Sequence, residues 1–100
     1  MLSTMRATGT SQEPISFPLG KCYATPGTSE EFPRDVILSC IDRHARGDWG
    51  DLSEYDIQAN NDAILNGGRL LSSYNIRGDK LWIITDAERE TTTICLPEEY

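Results

Sequence analysis

The sequence predicts a single α+β domain, in which an antiparallel sheet of three to four strands carries two helices packed on one face. Three observations lead to this fold class. Residues 69–96 hold three β-rich runs separated by short turns, which is typical of a three-stranded meander. Two earlier stretches, 33–47 and 53–68, repeat apolar residues at helical spacing between capping signals. The chain has 100 residues, the usual size of one domain.

The first segments of the chain are the least regular. Residues 1–14 are rich in Ser, Thr and Gly without periodicity, so we expect a flexible tail there and place the domain at 15–100. Apolar residues recur near alternate positions at 15–23, which predicts a first strand. Pro18 and Gly20 interrupt it and indicate an irregular edge strand. The Thr-Pro-Gly-Thr sequence that follows predicts a turn.

The first helix is predicted to begin at Pro33 and to end at Gly47, because proline suits the first turn of a helix and glycine its end. His44 lies on its apolar face, in the last turn. This position favours a packing or capping role for the imidazole over a catalytic one. The residues of that face are Val36, Ile37, Cys40, Ile41 and His44.

The second helix is predicted to follow Ser53, whose spacing to Asp56 resembles a capping box, and to end at Gly67 and Gly68. Asn60 lies on its core-facing side. We expect the Asn60 amide to hydrogen-bond the backbone of a neighbouring segment, because a buried polar group needs a partner.

The three runs of the meander differ in their burial pattern. Residues 69–76 alternate, as a half-buried strand does. Residues 81–85 are apolar on both faces and are therefore predicted to form the central strand. Residues 91–96 are rich in β-branched side chains. Gly78 and Asp79 suit a tight hairpin turn between the first two runs, and 86–90 form the second turn.

Composition narrows the range of partners. The net charge of −7 argues against direct binding to nucleic acid or to an anionic membrane, both of which need a basic face. It permits binding to a basic protein surface. No run approaches the roughly 20 apolar residues of a membrane span, and no signal-peptide pattern is present. The three cysteines have unrelated spacings and are expected to be reduced thiols of a cytoplasmic protein.

Few residues suit catalysis or metal binding. An enzyme would have to be centred on His44, with Asp48 orienting the imidazole and Arg69 or Arg89 binding an anion. Cys40 lies on an apolar face, where a thiol is inert. The sequence holds neither a calcium-binding loop nor a phosphate-binding glycine loop, so we expect no metal and no cofactor. An alternative to an enzyme is a structural or regulatory module that pairs with itself through a sheet edge.

The most informative segment is 44–51, HARGDWGD, which gathers the single histidine, a tryptophan, two glycines and two aspartates between the helices. Residues 47–68 hold five carboxylates and no Lys or Arg, and 86–100 hold five more against one arginine. Such blocks attract basic partners. We therefore predict that a partner contacts a half-exposed Trp49 anchor and the surrounding acids, with a polar site beside them. The contact residues are Asp48, Trp49, Asp51, Glu54, Asp86, Glu88 and Glu90, and the polar site is His44, Asn60, Arg69 and Arg89.

The pattern of residues 40–100 resembles a family of small accessory proteins from plasmids, phages and other integrated elements. The resemblance rests on HARGDWGD, on Asp56 and Asn60 in a helix, and on GRLLSSY, KLWIIT and TTTICLPEEY. It extends to LGKCYATPG in the first strand. The segment between Gly27 and Arg34 is short for the family, so a helix found there in relatives is expected to be reduced here.

Members of this family are often labelled as subunits of type I restriction–modification enzymes. That label does not suit this chain, which has neither the cofactor fold nor the Asn/Asp-Pro-Pro-aromatic element of a methyltransferase. What the resemblance implies is an accessory protein of a mobile element, acting in the bacterial cytoplasm. We expect a non-enzymatic inhibitor of a host defence nuclease, an anti-CRISPR protein that binds a Cas effector, since such nucleases have basic channels for nucleic acid.

Overall fold

The computed structural model describes residues 15–100, and the tail predicted for 1–14 lies outside the described residues. Within that range the chain forms four strands and three α-helices, and a short 3₁₀ turn follows the last strand. The elements are β1 (Lys21–Ala24), α1 (Pro26–Glu31), α2 (Arg34–Ala45), α3 (Glu54–Asn66), β2 (Leu70–Ile76), β3 (Asp79–Thr85), β4 (Thr91–Cys95) and the 3₁₀ turn (Pro97–Glu99).

The strands form one sheet in the order β1-β4-β3-β2. The predicted fold class is confirmed, since the sheet is mostly antiparallel and the helices pack on it. The meander is present as predicted, with Leu70 opposite Thr85 in the first pair and Ile83 opposite Ile94 in the second. Strand β3 is paired on both sides, which is the central position expected from its apolar sequence.

Strand β1 differs from the expectation in length and direction. Only Lys21–Ala24 pairs, and it runs parallel to β4, with Lys21 opposite Thr91. Parallel neighbours need a long crossover connection. Here the three helices and the rest of the meander lie between the two strands, so the chain arrives at β4 in the same direction as β1.

Helix α1 forms where a turn was predicted, and that prediction is wrong. Thr25 caps the helix, because its hydroxyl accepts a hydrogen bond from the Thr28 N–H at 3.2 Å. Pro26 occupies the first helical position, where its missing N–H costs nothing. Threonine, proline and glycine are common both at the start of a helix and in turns, so this sequence is compatible with either structure.

The two longer helices match their prediction within one or two residues. Pro33 immediately precedes α2, and Ser53 caps α3 by accepting a hydrogen bond from the Asp56 N–H at 3.1 Å. The β2–β3 turn uses Arg77 and Gly78, both with positive φ, and is therefore shifted by one residue from the prediction. No helix within residues 15–100 is long and apolar enough to cross a membrane.

Two apolar clusters fill the space between the helices and one face of the sheet. The larger lies under α2, and the smaller lies at the end of the sheet near the start of β2 and involves α3. The first contains Phe32, Ile37, Cys40, Tyr74, Leu81, Ile83 and Ile94, and the second contains Phe17, Trp49, Ala63 and Leu70.

Candidate functional site

The loop between α2 and α3 carries the predicted contact residues, and it is hydrogen-bonded along the outer edge of β2. The Ser73 N–H donates to the Trp49 carbonyl at 3.1 Å, and the Asp51 N–H donates to the Ser73 carbonyl at 2.6 Å. The Asp51 carboxylate also accepts from the Asn75 N–H at 3.0 Å. At Gly50, with φ +77°, a Cβ would lie 2.2 Å from the Ser73 oxygen, so only glycine fits. The loop thus pairs with β2 like a very short added strand.

Asn60 continues this pairing from α3. Its amide nitrogen donates to the Leu71 carbonyl at 2.7 Å, and its amide oxygen accepts from the Leu71 N–H at 3.2 Å. The expectation that this buried amide binds a neighbouring backbone is confirmed. Together with the loop, Asn60 satisfies both outward backbone groups of residues 71 and 73 and the N–H of residue 75.

Trp49 is buried, with 4% of its surface exposed. The prediction of a half-exposed anchor is therefore wrong. The indole stacks on Phe17 with ring centroids 6.0 Å apart and lies edge-on to His44 at 5.6 Å. Its Nε1–H donates to the Asn61 side chain at 3.1 Å. The ring supports the loop from beneath and offers little surface to a partner.

His44 is fully buried at the start of a chain of hydrogen bonds. Its Nδ1 lies 2.5 Å from the Ser72 hydroxyl, and its Nε2 lies 2.9 Å from the Thr85 hydroxyl. The Thr85 hydroxyl is 2.7 Å from that of Thr92, which donates to the Leu19 carbonyl at 2.7 Å. The chain joins α2 to β2, β3, β4 and the segment before β1.

The direction of this chain determines the protonation of the imidazole. The Thr92 proton goes to a carbonyl, so Thr92 must accept from Thr85. Thr85 must then accept from His44, which places the imidazole proton on Nε2 and leaves Nδ1 to accept from Ser72. Burial agrees with a neutral ring, because desolvation lowers the pKa of His44 from 6.5 to about 4.

The residues expected to assist His44 are bonded elsewhere. Asp48 accepts from Arg43 at 2.7 and 3.2 Å, and this hydrogen bond holds the pKa of the Asp48 carboxyl below its usual value. The Arg43 guanidinium lies 4.5 Å over the Tyr74 ring. Arg69 hydrogen-bonds the Tyr100 hydroxyl. The structure therefore does not bring Asp48 or Arg69 to the imidazole.

Arg89 holds the β3–β4 turn to the end of α3. It donates to the carbonyls of Ala63 at 3.0 Å, Gly68 at 2.6 Å and Asp86 at 3.0 Å. Its guanidinium lies 5.8 Å from the centre of the Phe17 ring. These contacts are all to the protein's own structure. The residues of the predicted polar site are therefore not gathered in one place and make separate structural contacts.

Most of the predicted acidic residues are exposed. Asp86 is the exception, since it is half-buried and accepts from the Glu90 N–H at 2.8 Å and the Thr91 hydroxyl at 2.9 Å. These hydrogen bonds lower the pKa of the Asp86 carboxyl and indicate a structural role in the turn. The exposed ones form two groups: the loop carboxylates, Asp48, Asp51 and Glu54, and the turn carboxylates, Glu88 and Glu90.

Sequence reasoning missed Phe17, Arg43 and Tyr74. The Tyr74 hydroxyl donates to the Asp48 carbonyl at 2.6 Å and so fixes the loop from the sheet side. The five-residue spacing between Arg43 and Asp48 was an available signal, because opposite charges that flank a helix end often pair. Phe17 was placed in the predicted first strand, and nothing in its spacing indicated that it would stack on Trp49.

Replacing Asn60 by alanine is expected to lower the free energy of unfolding by about 2–4 kcal/mol, because the N–H and C=O of Leu71 would both lose their partner. Urea denaturation followed by circular dichroism measures this change in the free energy of unfolding. Gln58→Ala is the matched control on the same helix, since among the described residues that exposed amide bonds only the Asp62 side chain. Equal stability of the two variants would contradict a role for Asn60 in covering the β2 edge.

Within residues 15–100, no group of three His, Cys, Asp or Glu side chains is placed to hold a metal ion. The cysteines are all free thiols, with Cys22 exposed and Cys40 and Cys95 buried.

Comparison of the chain with protein-family models, with curated proteins and with solved structures finds no match.

Proposed function

We propose that this protein is a non-enzymatic inhibitor of a host defence nuclease, a Cas effector, which it binds through the loop carboxylates and the turn carboxylates. The observation that carries the proposal is the construction of the loop. Its acidic side chains are exposed, whereas its backbone makes two hydrogen bonds to Ser73 of β2 and the Asp51 carboxylate accepts a third from the Asn75 N–H. The loop thus exposes negative charge to solvent while its backbone is already held in place by β2.

An ordered loop favours binding because less conformational entropy is lost when the complex forms. Trp49 contributes from below, by filling the space between the loop and Phe17. Gly50 and the paired Asn60 hold the adjacent backbone against the sheet edge. The acidic surface therefore needs little rearrangement on meeting a basic partner.

Charge supports a basic partner in general. The net charge of −7 creates a field that speeds encounter with a positively charged groove. The nucleic-acid channel of a Cas nuclease has that character. The choice of a Cas effector among basic partners rests on the family resemblance of residues 40–100.

The alternative of an enzyme centred on His44 has less support from the geometry. The imidazole is 0% exposed, and its two nitrogens are occupied by hydroxyl groups of the sheet. A general base must reach the proton that it removes from a substrate. His44 instead ties α2 to the sheet.

Neutralising three exposed carboxylates tests the proposal. The variant Glu54→Gln/Glu88→Gln/Glu90→Gln should slow association with the target nuclease by about tenfold, because long-range attraction sets the rate of encounter. Added salt should have the same effect on the wild type. None of these three side chains makes a hydrogen bond or ion pair within residues 15–100. Folding should therefore change only by a few tenths of a kcal/mol, from the loss of the Glu54 charge at the N-terminus of α3. Surface plasmon resonance against a panel of purified Cas effectors of several types measures the rates.

The matched control carries the same net charge but changes acids outside the two groups. It is Glu30→Gln/Asp35→Asn/Glu98→Gln, whose positions are also exposed. This control should associate at a rate close to that of the wild type in the same buffer. Equal slowing of both variants would show that net charge matters and not this surface. The absence of binding and of nuclease inhibition across the panel would reject a Cas effector as the partner.

A further inference from the structure

The two edges of the sheet differ in whether their outward backbone groups are hydrogen-bonded. The β2 edge is covered by the α2–α3 loop and by the Asn60 amide. Strand β1 forms the other edge, and all four of its residues are exposed. The Lys21 N–H donates to the Glu90 carbonyl just before β4, and the Thr25 N–H donates to the Ile94 carbonyl in β4, at 3.0 Å each. The backbone groups of Cys22 and Ala24 therefore point away from the sheet. Within residues 15–100 these outward groups have no partner.

An apolar groove of about 450 Å³ lies beside this open edge, between β1 and α2. Leu38, on the wall formed by α2, is 52% exposed. The lining contains no Asp or Glu, although the chain has 16 of them. The lining residues are Cys22, Ala24, Ser29, Phe32, Arg34, Ile37, Leu38, Ile41 and Ile94.

We propose that two copies of this chain associate through β1, in antiparallel pairing about a twofold axis, to form a continuous eight-stranded sheet with the two grooves facing each other. The inference does not depend on the function proposed above. Open strand edges pair readily with other strands, and closed twofold dimers are the commonest assembly of identical chains.

The register of β1 suits such a pair. With Tyr23 on the axis, Cys22 of each copy lies opposite Ala24 of the other, and these are the residues whose backbone groups point outward. Both form hydrogen-bonded pairs in antiparallel geometry. On the groove side the facing side chains are then small, which lets the apolar walls approach. On the other face the two Tyr23 rings, each 54% exposed in a single copy, come together.

The charges around the groove permit a second copy there. Two chains of net charge −7 repel each other over most of their surface. The groove is a part of the surface without carboxylates, and Arg34 is the one charged residue among its lining. The interface between the copies would thus lie on a part of the surface that has no carboxylates and that includes the exposed Leu38 side chain.

Sedimentation equilibrium of the full chain in reducing buffer tests the dimer, at concentrations from low micromolar to several hundred micromolar. We expect a reversible monomer–dimer equilibrium. Reductant should not abolish it, because the register does not place the two Cys22 thiols opposite each other. Leu38→Glu should raise the dissociation constant by at least about tenfold, since it places charge in the apolar interface. The matched control Leu65→Glu changes a leucine that is 83% exposed on α3, outside the groove, and should stay within about twofold of wild type.

Amide hydrogen exchange locates the interface. The Cys22 and Ala24 amides should exchange quickly in the monomer and become protected as the concentration rises. The same amides should stay unprotected in Leu38→Glu under the conditions where the wild type is dimeric. A chain that stays monomeric at the highest concentration overturns the proposal and leaves the β1 edge to an extended segment of a different protein. A dimer with unprotected Cys22 and Ala24 amides also overturns it, because the interface would lie elsewhere.

Discussion

Replacing Trp49 by alanine is expected to lower the free energy of unfolding by about 3–5 kcal/mol, the usual loss when a buried aromatic side chain is removed. The ring is 4% exposed and contacts both Phe17 and His44, so its removal leaves a cavity in the smaller apolar cluster. The loop above would lose its support at the same time. Urea denaturation monitored by far-ultraviolet circular dichroism gives the value.

Trp49→Phe separates packing from hydrogen bonding. The phenyl ring keeps most of the apolar contact but cannot donate to the Asn61 side chain, so the loss should be near 1 kcal/mol. Because the indole is buried, partner binding should decline only as far as folding does. A Trp49→Ala protein that is as stable as the wild type yet fails to bind would restore the view of Trp49 as a contact residue.

Acidification from neutral pH to about pH 4 is expected to cost up to about 3 kcal/mol of stability through His44 alone. The imidazole of the unfolded chain takes up a proton below its ordinary pKa of 6.5, whereas burial lowers the folded pKa to about 4. Unfolding is therefore coupled to proton uptake in this window. The contribution of His44 to stability is fully present above pH 6.5, decreases as the pH falls below 6.5, and is lost below about pH 4.

The pH dependence can be assigned to one residue because the sequence has a single histidine. Asp48 and Asp86 have lowered pKa values, so their loss of stability begins near their ordinary value of 3.8, outside most of this window. The pKa of Glu99 is lowered from 4.5 and that of Glu31 is raised from 4.5, so these two carboxyls act only at the acid end of the window and in opposite directions. The variant His44→Gln should have a flatter profile between pH 6.5 and about 4, whatever its stability at neutral pH. A profile as steep as that of the wild type would contradict the assignment to His44.

Local sequence signals explain which parts of the fold could be predicted. Helix α3 is bounded by Ser53 and Gly67, and the meander alternates around two short turns, so each element is specified by residues close to it. Asn60 was predicted to bind a backbone because burial requires a partner for its amide. The identity of that partner, the edge of β2, could not be predicted, because it depends on how α3 packs against the sheet and no local sequence pattern specifies this packing.

The missed features depend on distant residues. The direction of β1 is set by its pairing with β4, about 70 residues further along the chain at Lys21 and Thr91. Trp49 is turned inward by Phe17, which comes from an irregular segment. The flanking glycines allow the loop either to expose the indole or to bury it, so sequence alone left the choice open.

The parallel pairing of β1 has a consequence for how the chain folds. The β2–β3–β4 meander closes only short loops, whereas β1 can join only after the chain has closed a loop of nearly the whole domain. Loop-closure entropy therefore places the docking of β1 late in folding. Until then β4 is itself an edge strand, and its Thr-Thr-Thr-Ile-Cys sequence is rich in β-branched residues. The interval before β1 docks is thus the stage at which the chain is most prone to aggregate.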